Sequence, residues 1–161
     1  MKQVLLWLLF FCSITVAQAQ QQDCRALLDT FYRHSKNNFM DIMDKQTDTV
    51  SVFYPAKLQA GLGEIRIGKF PYANVLCWEV PLGQSEAIQA AVARFIEAMY
   101  SGNKLYKIVN LDEAEEPGGI ATHSVYRVDG ARKPLLVFQT MCYRNQENAS
   151  KSRFAIMMYS Q

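Results

Sequence analysis

The chain of 161 residues is poor in the residues from which many small catalytic and metal-binding sites are built. It has two histidines, four cysteines and a formal net charge of only +2. The near balance of charge argues against a nucleic-acid partner, because phosphate binding requires many Lys and Arg contacts. Five prolines and eight glycines are too few for a collagen or a Pro/Gly-rich disordered chain. Half of the residues are apolar, which predicts a globular chain with one domain.

Short sequence motifs with a known chemical mechanism are also missing. The chain has no G-x-S-x-G elbow, no H-E-x-x-H helix, no Walker loop and no G-x-G-x-x-G turn. Zinc sites usually show closely spaced ligand pairs, whereas Cys24, Cys77 and Cys142 lie far apart and no histidine pair exists. We therefore expect no cofactor and no metal site.

The first nineteen residues have the pattern of a secretory signal peptide. A basic start at Lys2 precedes a mostly apolar run from Val4 to Val16, and Ala17-Gln18-Ala19 has the small-x-small order of a cleavage site. The run is shorter than the roughly 20 residues that a spanning helix needs. An uncleaved anchor is the alternative, but no stop-transfer pattern or basic cluster follows. We expect a signal peptide over 1–19, a single domain over 20–161, a secreted or periplasmic location and no stable membrane anchor.

The spacing of apolar residues after the signal peptide predicts a helix followed by three strands. Apolar side chains recur at three- and four-residue steps from Asp23 to Asp44, as in an amphipathic helix. Short runs rich in β-branched and aromatic residues then predict strands over Val50–Tyr54, Glu64–Phe70 and Val75–Val80.

A second helix and four strands follow. The helix has apolar residues at i, i+3, i+4, i+7 and i+8 from Ile88 onwards, with Ser85 as N-cap and Gly102 just beyond its end. The strands are predicted over Leu105–Leu111, Ile120–Val128, Pro134–Tyr143 and Phe154–Tyr159, and Asp129-Gly130 is a hairpin signal between the middle two. The order α-βββ-α-ββββ predicts an α+β fold, a mostly antiparallel sheet with two helices packed on one face.

The two halves share one local feature. Leu76-Cys77-Trp78 and Met141-Cys142-Tyr143 each place a cysteine between an apolar and an aromatic residue, in the third strand of each half. An internal duplication would explain this similarity, and chance is the alternative. If the two third strands are neighbours, Cys77 and Cys142 form a disulfide and Cys24 remains a thiol. A fully reduced protein is the competing expectation.

Charged residues in two predicted connections are the candidate binding site. Four acidic residues lie in the connection after the fourth strand, and three basic residues lie in or beside the connection before the last strand. In a four-strand meander these two connections open at the same end of the sheet. Exposed ion pairs that merely order the loops are the simpler outcome, and a charged rim that steers a protein partner is the functional one. The rim consists of Asp112, Glu113, Glu115, Glu116, Arg144, Lys151 and Arg153.

Two functions from different classes are compatible with these patterns. The favoured one is an exported binding, adaptor or inhibitor-like protein whose partner is a protein. The alternative is a small exported hydrolase with a Cys/His or carboxylate site assembled from distant strands, such as His123 with Cys77 or Cys142. Hydrogen-bond contact between His123 and a thiol or carboxylate would favour the hydrolase. The sequence does not indicate an oligomeric state.

We predict that the exported protein lacks residues 1–19, because a signal peptidase cleaves after a small-x-small box such as Ala17-Gln18-Ala19. N-terminal sequencing of secreted material is expected to begin at Gln20, or to find a blocked pyroglutamate there. Recovery of intact Met1 from the exported pool would contradict the prediction.

Overall fold

The computed structural model describes residues 24–46, 51–102, 104–116, 119–143 and 147–161. The signal peptide predicted over 1–19 lies outside these residues. Helix α1 occupies residues 24–35. The elements after it are β1 (Phe53–Pro55), β2 (Glu64–Lys69), β3 (Asn74–Pro81), α2 (Glu86–Ser101), β4 (Leu105–Glu116), β5 (Gly119–Val128), β6 (Leu136–Tyr143) and β7 (Arg153–Tyr159). Short 3-10 helices at Leu82–Gln84 and Ala149–Lys151 precede α2 and β7.

The seven strands form one antiparallel sheet in the order β1-β2-β3-β7-β6-β5-β4. Two three-strand meanders, β1-β2-β3 and β4-β5-β6, flank the last strand, which pairs with β3 on one side and β6 on the other. The α+β class and the order α-βββ-α-ββββ are therefore confirmed.

Both helices pack on the same face of the sheet, which we call the helix face. The α1 side chain Phe31 meets Trp78 of β3 edge-on at 5.8 Å between ring centroids, and Tyr32 meets Phe95 of α2 at 6.1 Å. The Trp78 indole N–H donates to the Leu62 carbonyl at 2.8 Å, so its one polar group is satisfied inside the core. Phe31 and Phe95 are fully buried, and burying each of them contributes about 1.5–3 kcal/mol.

Helix α1 ends nine residues earlier than the sequence pattern predicts. Asn38 and Phe39 have φ angles of 50° and 58°, in the left-handed region that stops a right-handed helix. A series of turns replaces the last two helical turns, with the Phe39 N–H donating to the His34 carbonyl at 2.9 Å. Phe39 and Ile42 are nevertheless buried. The turns therefore deliver the same apolar residues to the core that a continued helix would have delivered.

The N-cap of α2 differs from the prediction in its hydrogen bonding. Ser85 precedes the helix as predicted, but its hydroxyl donates to the Leu82 carbonyl at 2.7 Å and accepts from the Gln89 amide at 2.6 Å. The hydroxyl therefore joins the 3-10 helix to α2 and caps no backbone N–H of α2.

The acidic run predicted as a loop belongs to strand β4, which corrects the predicted end of this strand at Leu111. The backbone of Asp112 pairs with Thr122, Glu113 pairs with Ala121 and Glu116 pairs with Gly119. Strand β5 starts at Gly119, so its first residues supply backbone partners for the acidic end of β4. The β4–β5 hairpin is thus longer than its apolar part. Bulges between Lys107 and Val109 and between Glu113 and Glu116 interrupt the register.

The predicted Cys77–Cys142 disulfide is wrong, because β7 separates the two third strands. Both cysteines are unbridged. Cys77 pairs with Met157, which pairs in turn with Val137 on β6, five residues before Cys142. This register separates the two by two strand spacings, about 10 Å, and by about 17 Å along the strand. A disulfide needs its Cα atoms within about 7 Å.

The two meanders have opposite hands, which argues against an internal duplication. Strands β3 and β6 are parallel to each other, since both are antiparallel to β7. Viewed from the helix face, the first meander reaches β3 from one side and the second reaches β6 from the other. The halves are thus related as mirror images, and no rotation superposes them. The two cysteines also differ, because Cys77 is buried and Cys142 is exposed.

We predict that Gly63→Ala destabilises the protein far more than Gly130→Ala. Both glycines have positive φ angles, 77° and 75°, so both substitutions carry a left-handed penalty of about 1–2 kcal/mol. A Cβ at Gly63 would also lie closer than 3.0 Å to the Glu79 carbonyl oxygen and the Val80 side chain, whereas at Gly130 it meets nothing within 4 Å. Urea unfolding measures the difference, and equal losses for the two variants would contradict this packing at Gly63.

Candidate interaction surface

The sheet face opposite the helices carries most of the charged and thiol side chains of the central strands. We call it the far face. Directly paired residues share a face, and Arg66 pairs with Cys77, which pairs with Met157. Cys77 precedes Trp78, which packs under the helices, so this row points away from them. Among the described elements, both helices lie on the other side.

Arg66 organises a charged cluster on the far face. Its guanidinium donates to the Glu79 carboxylate at 3.1 Å and lies 3.8 Å from the Glu64 carboxylate. The same guanidinium lies 5.3 Å from the ring centroid of Phe53. Since each of these side chains is partly exposed, the pairs are worth at most about 1 kcal/mol. The cluster fixes the orientation of Phe53 at the β1 edge rather than providing a reactive group.

The Cys77 thiol beside this cluster is held in its protonated form. Burial, and to a smaller extent the Glu79 charge, raise its pKa from 9.0 to about 11 against the opposing effect of Arg66. Because the pKa is higher in the folded chain, the free energy of unfolding falls as the pH rises from about 9 to about 11. Thiolate is the nucleophilic form of cysteine. Cys77 therefore lacks the lowered pKa that nucleophilic catalysis requires.

The sheet register separates His123 from both cysteines of the alternative hydrolase. His123 pairs with Gln139 on β6, whereas Cys142 pairs with Ile120. An offset of three residues puts His123 and Cys142 on opposite faces. Cys77 shares the face of His123 but lies three strands away, a distance of about 14 Å. The fold therefore assembles neither Cys/His pair, and no group of three His, Cys, Asp or Glu within the described residues is placed to hold a metal ion.

The other histidine closes the turn that follows α1. The His34 Nδ1 lies 2.7 Å from the Asp41 carboxylate, and Lys57 donates to the Asp41 carbonyl at 3.3 Å. Desolvation acts to raise the pKa of Asp41, but its hydrogen bond to His34, backbone N–H donors and the His34 charge together lower it. The stabilisation is present at neutral pH and is lost as the pH falls through the lowered pKa. This geometry gives His34 a structural role.

The backbone brings part of the predicted charged rim to one end of the sheet. Glu116 pairs with Gly119, which pairs with Tyr143, so the end of β4 and the β6–β7 connection lie at the same end. Lys151 is exposed and Arg153 begins β7, while Arg144 lies outside the described residues. Arg153 shares a sheet row with Glu113 but lies three strands from it, about 14 Å at the Cα atoms. A partner at this rim stays a prediction.

An exposed apolar patch at the β1 edge was missed by the sequence analysis. Val52, Phe70 and Tyr72 are exposed by 49, 42 and 94%. The Val52 carbonyl accepts the Lys69 N–H at 2.9 Å, and the Phe70 ring meets Phe53 edge-on at 6.0 Å, so Val52 and Phe70 both lie at the β1 edge. We call Val52, Phe70 and Tyr72 the edge patch. The signal in the sequence was Phe70-Pro71-Tyr72, two aromatic residues around a proline turn.

We predict that iodoacetamide at pH 8 labels Cys142 in the folded, unreduced protein and leaves Cys77 unlabelled until denaturant is added. Cys142 is exposed, whereas a thiol with a pKa of about 11 is ionised in about one molecule in a thousand at this pH. Peptide mass mapping measures both sites. Protection of both cysteines until a reductant is added would instead indicate a disulfide.

Comparison of the chain with known protein families, with characterised proteins and with solved structures gives no match. Within the described residues, no helix is long and apolar enough to cross a bilayer.

Proposed function

We propose that the protein is an exported binding module that contacts a protein partner through the edge patch. The observation that carries the proposal is the grouping of Val52, Phe70 and Tyr72 at one edge of the sheet with their side chains in solvent. Large aromatic residues are enriched where proteins bind other proteins, and few such residues account for most of the binding energy. Exposed apolar side chains grouped at one edge of a sheet mark interaction sites more often than scattered ones do.

The support beneath the patch favours recognition by a preformed surface. The rings of Phe53 and Phe70 lie over Gly68, where an added Cβ would approach both of them at 3.0 Å or less. Arg66 stacks on Phe53 and is itself paired with Glu79. These contacts hold the rings of Phe53 and Phe70 in place before a partner binds. Little conformational entropy is therefore lost on binding.

The signal peptide predicted over residues 1–19 supports the same function. The Cys/His form of the alternative hydrolase is not favoured, since its two residue pairs are separated by strands or by the sheet itself, while its carboxylate form stays a prediction. The charged rim at the opposite end of the sheet remains a second surface, whose charges would act on the rate of association more than on affinity.

The test begins with site-specific cross-linking. A benzophenone side chain placed at Tyr72 is expected to capture a protein partner in the envelope or medium of the cells that export this chain. The same side chain at Arg94, which is exposed on the outer side of α2, serves as the matched control. A partner cross-linked from both positions would indicate non-specific capture.

The recovered partner then allows a measurement of affinity. We predict that Val52→Ser with Tyr72→Ser weakens binding at least about tenfold, the usual effect of removing aromatic and apolar contacts at the centre of an interface. Arg94→Ser is expected to have no effect, and the unfolding midpoint is expected to change little because both replaced side chains are exposed. Unchanged affinity for the double variant would remove the edge patch from the binding site.

A further inference from the structure

The two edges of the sheet differ in the backbone that they offer to another strand. At one edge, β1 is three residues long and ends at Pro55, which has no N–H to donate. At the other edge, β4 is twelve residues long and, within the described part of the chain, pairs with β5 alone. A long edge strand is a template for an incoming strand, and proteins usually block it. The β4 edge therefore offers the longer backbone to an incoming strand.

Part of the β4 edge is already occupied. The Tyr100 hydroxyl of α2 accepts the Lys107 N–H at 2.7 Å. Beyond the bulge that follows Lys107, the segment Val109–Glu113 pairs with Val125–Ala121 residue by residue, until the second bulge begins at Glu113. Bulges disrupt a ladder locally, so further pairing is confined to the regular segment between them. Five residues is an ordinary strand length.

Two apolar side chains accompany this segment at its start. Ile108 and Val109 are exposed by 45 and 37%. Exposed β-branched residues on an edge strand favour addition of another strand, because they pack well on a pleated surface. Among the described residues, the edge thus combines backbone that pairs with no further strand and apolar surface in one place.

The charges on the two sides of this segment have opposite signs. Lys104 and Lys107 precede it, and Asp112, Glu113, Glu115 and Glu116 lie at its end and beyond. Two copies of β4 placed antiparallel bring the basic half of each opposite the acidic half of the other. With a two-fold axis at Asn110 and the two bulges counted, Lys107 lies opposite Asp112 of the second copy, and Lys104 lies opposite Glu116. A parallel arrangement would instead place acidic residues beside acidic residues, which is destabilising.

We infer that two copies of this chain associate through antiparallel pairing of their β4 strands about a two-fold axis, which joins their sheets into one of fourteen strands. The occupant of the edge is a second copy because the strand is complementary in charge to itself in this one orientation. The β1 edges lie at the outer ends of the joined sheet, so the dimer carries two edge patches. The inference is independent of the function proposed for that patch.

The contact is short, which sets the expected behaviour. A five-residue ladder with flanking ion pairs is at the small end of specific interfaces, so association is expected to depend on concentration over the micromolar range. Raising the ionic strength is expected to weaken it, since salt screens exposed charges.

The test uses protein recovered after expression of the full chain, and sedimentation velocity measures its mass over about 1–100 µM. An acidic variant, Lys104→Glu with Lys107→Glu, and a basic variant, Asp112→Lys with Glu116→Lys, each reverse the charge of one member of every pair. Each is expected to raise the dimer dissociation constant at least about tenfold, because every charge pair becomes repulsive. A mixture of the two is expected to form a heterodimer, in which every pair is attractive again. Lys45→Glu with Arg94→Glu is the matched control of equal charge change away from β4, and it should dimerise like the parent.

Hydrogen exchange of the unaltered protein provides a second readout that does not depend on whether the variants fold. Amides of Val109–Glu113 are expected to gain protection as the protein concentration rises, and those of Phe53–Pro55 are not. The inference is overturned by a monomer at 100 µM, by a dimer that both charge variants leave intact, or by folded variants that stay monomeric when mixed. A monomer that instead binds a basic peptide along β4 would assign the edge to another occupant.

Discussion

Pairing of β7 with both β3 and β6 is the interaction on which the continuous sheet depends. Each half of the chain builds its own three-strand meander from local hairpins, and without β7 the strands β3 and β6 would both be unpaired edges. The last strand fills the space between the two edges, with Ile156 paired to Trp78 on one side and to Phe138 on the other. The core on the helix face is therefore continuous across both halves, and it is complete only when the final residues of the chain are in place.

This central position of β7 decides where the chemically interesting side chains lie. Because a strand separates β3 from β6, the two cysteines that look equivalent in sequence are far apart. The same register leaves Cys77 under Arg66 and Glu79, where burial keeps its thiol protonated. The far face thus holds groups that stabilise one another, and the residues free to meet a partner lie at the sheet edges and at the end that carries the predicted rim.

The order of elements and the class of fold could be predicted from the sequence because both follow from local periodicity. The alternation in Glu64–Lys69 depends on one strand alone, and the apolar stripe from Ile88 onwards depends on one helix alone. The end of α1 could not be predicted in this way, since Phe39 and Ile42 keep helical spacing while the backbone at Asn38 turns left-handed. The neighbour of β3 could not be predicted either, because strand pairing over eighty residues leaves no mark on local spacing. The edge patch could not be predicted, because its prediction requires knowing that β1 is an edge strand.

The two edges of the sheet also limit pairing with another strand in different ways. At β1 the strand is short and ends at a proline, so a partner there has little backbone to pair with and must bind side chains such as Tyr72. At β4 the strand is long, and bulges limit its pairing to a segment whose flanks carry opposite charges. Charge on an edge strand usually prevents association, but a charge that changes sign along the strand prevents it in the parallel orientation alone. In the antiparallel orientation, opposite charges of the two strands face each other and attract. The charge pattern that disfavours pairing of this edge with most strands therefore favours pairing with a second copy of β4.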